Sequence, residues 1–221
     1  MSTLLLRERE AVVAFARRLG PDGLAVGTSG NLSARSGNRV AITPRGLAYD
    51  RLDTASVCIV TLGGEPVVGD LAPSTELPLH LAVYAATGAG AVVHTHSPYA
   101  TVLAAVVEEL PAVHYLVATL GGPVPVAPYA TPGSPELAAN VARALAGRSA
   151  ALLGSHGAVT TGDTLEVAYS RAVLLEWLCA LYYRARLLGE PRLVDAGELA
   201  RVGALLEHYL QDPPTGARPP R

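Results

Sequence analysis

Two of the chain's six histidines, His94 and His96, stand one residue apart in Val92–Val93–His94–Thr95–His96. In an extended strand, residues i and i+2 face the same side, so two imidazoles leave together at its end. Neutral imidazole suits zinc, and a metal site asks for a third ligand. The competing reading is two ordinary histidines in a turn before Pro98. Of the remaining four, His156 has the best context: it follows the apolar run Ala150–Leu153 and lies in Gly154–Ser155–His156–Gly157. A histidine between glycines at a strand end sits at the sheet's C-terminal edge, where α/β sites form. If the two strands are neighbours, the three rings converge and leave an open coordination position, the mark of a catalytic zinc. His80, between Leu79 and Leu81, reads as a packed helix histidine, and His114 and His208 lack comparable surroundings.

A base is also required. Pro73–Ser74–Thr75–Glu76 offers two hydroxyls, a helix start and a carboxylate. Read plainly, it is an ordinary helix cap. Read chemically, it is an anion pocket with a base beside it. Thr28–Ser29–Gly30–Asn31 is a second small, donor-rich turn, and Thr43–Pro44–Arg45–Gly46 adds a guanidinium and a glycine. Three such loops suit a phosphate, although none is diagnostic. Gly88-x-Gly90 precedes a strand instead of following one, so it is no dinucleotide fingerprint. Asn31–Leu32–Ser33 matches a glycosylation acceptor, but no secretory signal precedes it.

Stepping outward, 221 residues make one domain, and 50% hydrophobic with 16% charged residues excludes disorder and coiled coil. A net charge of −2 gives no reason to expect nucleic acid, and no segment approaches the about 20 apolar residues of a membrane span. A soluble, cytoplasmic protein is expected. All 17 basic residues are arginine, so Schiff-base chemistry on lysine and a lysine-ending phosphate loop are both impossible. Cys58 and Cys179 are far apart and read as buried thiols.

Periodicity predicts helices over 4–19, from Leu77 to Ala86, over Pro98–Val107, from Pro135 to about Ala146, over Thr164–Leu188 and over Ala196–Leu210. Strands are predicted at Val40–Thr43, Val57–Leu62, Ala91–Thr95, Val124–Ala127 and Ala150–Leu153, with a hairpin signal at Gly63–Gly64. This alternation indicates a single α/β domain with one helix-covered sheet, at least partly antiparallel. Residues 1–210 form the expected catalytic domain, and 211–221 a Pro/Gly/Arg-rich tail.

The runs Gly27–Ser33, Ile42–Gly46, Pro73–Glu76, Ala91–His96, Pro111–Tyr115, Pro128–Thr131 and Ser155–Gly157, in that order, resemble the class II aldolase/adducin family. The resemblance extends from the opening helix to about residue 190. It implies a central, mostly antiparallel sheet flanked by helices, a zinc cofactor and a homotetramer with sites at subunit interfaces. By position, His94, His96 and His156 would hold zinc, and Glu76 would be the base and a fourth ligand. Gly30, Asn31, Gly46, Ser74 and Thr75, with Thr28 and Arg45, would hold a phosphate. Tyr115 would donate a proton into a neighbouring subunit's site, and Tyr209 would match a second tyrosine near the C-terminus. Thr75 replaces a usual serine, and Arg45 stands where a small hydroxyl residue is common.

The implied reaction is reversible cleavage of a ketose 1-phosphate, like L-fuculose 1-phosphate, through a metal-bound ene-diolate. The products are dihydroxyacetone phosphate and a short aldehyde such as lactaldehyde. Other members are sugar-phosphate epimerases, decarboxylases or dehydratases, and adducin heads are non-catalytic interaction domains. The last reading expects a lost metal triad, whereas His94, His96, His156 and Glu76 are all present.

Overall fold

The computed structural model describes residues 3–211, with side chains described as far as residue 206. Tyr209's side chain and the tail from 212 onward therefore lie outside the described residues. The chain opens with α1 (Leu6–Ala16), shorter than the expected helix because Arg17–Gly23 continues as turns. A β-meander follows: β1 (Asn31–Ser36), β2 (Arg39–Ile42), β3 (Cys58–Thr61) and β4 (Pro66–Val68). The β3–β4 connection is the hairpin expected at Gly63–Gly64.

Next come α2 (Leu77–Thr87), β5 (Ala91–Thr95), α3 (Pro98–Ala104), β6 (Glu109–Leu110) and β7 (Val124–Ala127). α4 (Pro135–Ala144), β8 (Ala150–Leu153), β9 (Gly157–Gly162), α5 (Leu165–Leu188) and α6 (Ala196–Gln211) complete the order. The strands form one sheet, β4-β3-β2-β1-β5-β9-β8-β7-β6. Its pairings are antiparallel except β7–β8. Among the described residues no helix is long and apolar enough to cross a membrane.

Alternating side chains make three layers. Val92, Leu153 and Val159 pack under Leu79 and Val83 of α2 and Leu137 and Val141 of α4. Leu32, Ala41 and Val93 point the other way, onto α1 and the start of α5. Leu152 and Ala158 meet α3 and the middle of α5. Burying one Val or Leu contributes about 1.5–3 kcal/mol, so a one-residue slip of β5 would exchange both cores at once.

Beyond the hairpin arm β4, three strands were not expected, β1, β6 and β9, and two of them shape the site. β1 was readable only as a donor-rich turn, because Asn31, Ser33 and Ser36 are poor strand formers and its place comes from its partners β2 and β5. β9 begins directly after His156, so β5 and β8 are not neighbours: β9 lies between them. Its first residue explains the close fit. A Cβ on Gly157 would lie 2.1 Å from the Thr95 carbonyl oxygen. Gly157→Ala therefore forces β5 and β9 apart and should lower stability by about 3 kcal/mol or more, read as a fall in the urea midpoint.

Candidate metal centre

Strand and helix ends deliver four side chains to one point. His94, near the end of β5, is paired with Asn31 of β1 and Val159 of β9. His96 has left the strand, its N–H donating to the Leu24 carbonyl. The chain beyond it is anchored by Glu176 of α5, whose carboxylate accepts from the Tyr99 and Ala100 N–H groups at the start of α3. His156 occupies the tight turn between β8 and β9, next to Ser155 in the left-handed region at φ 51°. Glu76 precedes α2 as its N-cap residue, yet its side chain makes no cap hydrogen bond. The ordinary capping reading of Glu76 is thus not realised; the carboxylate turns inward.

One ligand atom from each of Glu76, His94, His96 and His156 lies within 4.8 Å of the others. His94 Nε2 is 3.0 Å from His96 Nε2 and 2.9 Å from Glu76 Oε2. His156 Nε2 is 3.4 Å from Glu76 Oε1. The Ala158 carbonyl, 3.0 Å from His94 Nδ1, can only accept, so in the neutral ring the proton sits on Nδ1. His94 Nε2 then turns a bare lone pair toward a carboxylate oxygen and a second ring nitrogen. Buried lone pairs converging in this way repel unless a cation or proton lies among them. Glu76 Oε1 has no hydrogen-bond partner. Three imidazoles and one carboxylate are the donor set of a zinc-like divalent ion, so the residues fit a metal.

The protonation states agree with ligand duty. Burial first, then the neighbouring His94 and His156, push His96 down to about 4; burial and His94 do the same to His156. Burial alone would raise the Glu76 carboxyl, but His94, Asn31 and His156 together hold it well below the usual carboxylate range. Neutral rings around an ionised carboxylate are what a cation requires.

Beside this group opens a cavity of about 270 Å³, lined by Thr28–Asn31, Pro44–Gly46, Ser74–Glu76, His96, Pro132 and His156. The structure thus brings every expected phosphate residue to the same cleft. Their loops are tied together: Ser74 N–H donates to the Thr43 carbonyl, and Arg45 N–H to that of Ala72. The Tyr49 hydroxyl lies 2.8 Å from both the Ser29 and Gly30 carbonyls, holding the third loop. Gly30, at φ 89°, would place a Cβ 2.9 Å from the His94 carbonyl oxygen, so glycine alone lets this loop approach β5. Asn31 departs from the free phosphate donor expected: its Nδ2 donates to Glu76 Oε2 at 2.9 Å, and its Oδ1 faces His80. Tyr115 is exposed, stacked on His114 at 4.4 Å between ring centroids, and does not line the cleft of its own chain. Tyr49 and Pro132 carried no sequence signal for the site; loop contacts put them there. A larger cleft of about 490 Å³ between α5 and α6 gathers no comparable ligand set among the described residues.

A helix-covered sheet with such a centre at its strand ends is the frame of an α/β protein that could hold a metal ion. Residues 10–183 match the family model described as Class II Aldolase and Adducin N-terminal domain, and the chain belongs to this family. It is 38% identical over 211 residues to a 5-deoxy-D-ribulose 1-phosphate aldolase of Bacillus thuringiensis, covering 94% of this chain and 99% of that one. It is 40% identical over 196 residues to a 5-methylthioribulose-1-phosphate/5-deoxyribulose-1-phosphate aldolase of Rhodospirillum rubrum, 88% of each chain. Among solved structures, an L-fuculose 1-phosphate aldolase superposes with a TM-score of 0.89 at 33% identity, covering 94% of this chain and 98% of that one. The resemblance read from the motifs is borne out at the level of family and fold.

His80, His96 and His156 are held at about 3, 4 and 4, below the about 6.5 of an unfolded chain. Their contribution to stability is complete above pH 6.5 and is lost as pH falls toward 4, because only the unfolded state takes up protons there. Metal-free protein should therefore have a lower urea midpoint at pH 5 than at pH 7. The upper limit is about 1.4 kcal/mol per pH unit for each histidine; equal midpoints would contradict buried neutral rings.

Proposed function

We propose that this chain is an aldolase that reversibly cleaves a ketose 1-phosphate to dihydroxyacetone phosphate and a short aldehyde, with zinc as its metal. The observation that carries the reading is the convergence of Glu76, His94, His96 and His156 beside a cleft of hydroxyls, backbone N–H groups and Arg45. The relatives' names point to sugars ending in a methyl group: 5-deoxyribulose 1-phosphate would release acetaldehyde, and L-fuculose 1-phosphate lactaldehyde. The proposed substrate, a charged sugar phosphate that does not cross membranes unaided, favours a cytoplasmic location.

When bound, zinc would supply the Lewis-acid pull on the substrate carbonyl that a lysine imine supplies elsewhere, which a chain without lysine needs. Thr28, Gly30, Gly46, Ser74 and Thr75 anchor the phosphate, Arg45 adds a guanidinium at the exposed rim, and Asn31, its amide committed to Glu76 and His80, only lines the cleft. Anchoring there turns remote binding energy into orientation at the reacting carbons. Glu76 Oε1, free of hydrogen bonds, takes the proton from the carbon beside the carbonyl in the addition direction and returns it during cleavage. Tyr115 of a neighbouring copy in a homotetramer protonates the aldehyde oxygen in addition and deprotonates the substrate hydroxyl in cleavage. Tyr209 is proposed as a second tyrosine of the site. Retention of all four ligands argues against an adducin-like, non-catalytic role.

The test separates the two half-reactions. Deuterium exchange into dihydroxyacetone phosphate alone, followed by NMR, should require zinc and should fall by about 10²- to 10⁴-fold in Glu76→Gln. Full exchange in that variant rules out Glu76 as the base. No exchange by zinc-loaded wild type would favour epimerase, decarboxylase or dehydratase substrates. Tyr115→Phe should leave this exchange intact yet slow cleavage of 5-deoxyribulose or L-fuculose 1-phosphate by about 10²-fold.

A further inference from the structure

We propose that His80 is a positioning residue for Glu76: with Ser33 and Tyr84 it locks the Asn31 amide, and so decides which carboxylate oxygen stays free. The inference rests on the reading of Glu76 as the base.

The geometry is a zipper between a helix and a strand. Glu76, His80 and Tyr84 recur every four residues and so form one stripe along α2. Asn31 and Ser33 of β1 share one face, while Leu32 and Ala34 enter the opposite core. The stripes interleave in one hydrogen-bonded chain. Asn31 Nδ2 lies 2.9 Å from Glu76 Oε2, and His80 Nε2 is 2.5 Å from Asn31 Oδ1. Ser33 Oγ lies 2.6 Å from both His80 Nδ1 and the Tyr84 hydroxyl. All five side chains belong to buried residues, and His80 and Ser33 are fully enclosed.

Each donor is forced by the next. The ionised carboxylate only accepts, so Asn31 must present its NH₂ to Glu76 and its Oδ1 to His80. His80 must then carry its proton on Nε2, and burial keeps the ring neutral. Nδ1 is left as an acceptor, so Ser33 donates to it and takes the Tyr84 proton in turn. Every donor points toward Glu76, an arrangement in which the bonds polarise one another. A leucine at 80 could fill the volume but would leave the buried Asn31 Oδ1 without a donor, so the amide would no longer be held in line with Glu76. The far oxygen, Oε1, is the one left without a partner and beside His156.

The test has two independent arms. In chelator-stripped protein, ¹⁵N NMR should show His80 protonated at Nε2 and bare at Nδ1. Kinetically, His80→Gln, whose amide nitrogen reaches the Nε2 position, should keep most of the wild-type kcat. His80→Asn reaches only Nδ1 and should lower kcat by about 10- to 100-fold, with KM and zinc content little changed. Ser33→Ala, one link further away, should cost less than His80→Asn, and it serves should the latter fail to fold. A ring protonated at Nδ1, or unchanged kcat in His80→Asn and Ser33→Ala while Glu76→Gln is inactive, overturns the proposal. An active Glu76→Gln instead defeats the base assignment and leaves the tautomer to be judged by NMR.

Discussion

A carboxylate buried at the start of a helix is the constraint from which the rest of the site follows. An isolated buried charge is prohibitively unfavourable, so Glu76 can remain ionised only if its surroundings answer it. They do so from two sides. Asn31 gives one oxygen a hydrogen bond, and His94 and His156 bring ring nitrogens to both. His156, like the adjacent His96, is itself held low, by burial above all, so these two rings answer the carboxylate fully only with a cation among them. Ligand geometry and electrostatics therefore require each other.

The sheet serves this arrangement at its centre. β5 lies between β1 and β9, so one strand end carries His94 while its neighbours supply Asn31 and the turn holding His156. Central strands have no unpaired edge, and their register is fixed by cores on both faces. The loops lining the cleft are tied to one another by Tyr49 and the backbone bonds of Thr43, Ala72 and Ser74. A rigid centre with stitched loops at its mouth suits a substrate held at one end and reacted at the other.

Much of the centre was legible because its chemistry is local. His94-x-His96 announces itself by strand period, and His156 by its glycines. Both depended on a neighbour relation that the residues could not disclose, since β9 inserts between β5 and β8. In β9 the strand formers Val159, Thr160 and Thr161 make only a three-residue run between Gly157–Ala158 and Gly162, too short to stand out, and its position comes from the close approach of Gly157 to Thr95. His80 was misleading for a different reason. Mid-helix between leucines it reads as packing, and its partners Asn31 and Ser33 lie 47 to 49 residues away in a strand that looks like a turn. A polar stripe at 76, 80 and 84 was visible, but only the opposing strand gives it meaning.

One asymmetry in the proposed chemistry follows from where the groups lie. The four ligands, the base and the phosphate loops come from a single chain and meet in one cleft. Tyr115 is exposed elsewhere, packed with His114 and, through it, Trp177. Proton removal next to the carbonyl therefore needs nothing beyond this chain and its metal. Making or breaking the carbon–carbon bond needs a second proton carrier at the aldehyde oxygen, which the proposed reading takes from Tyr115 of a neighbouring copy. On the proposed reading, enolisation belongs to the protomer and aldol chemistry to the assembly. Dilution to protomers would then uncouple the two half-reactions without disturbing the metal centre.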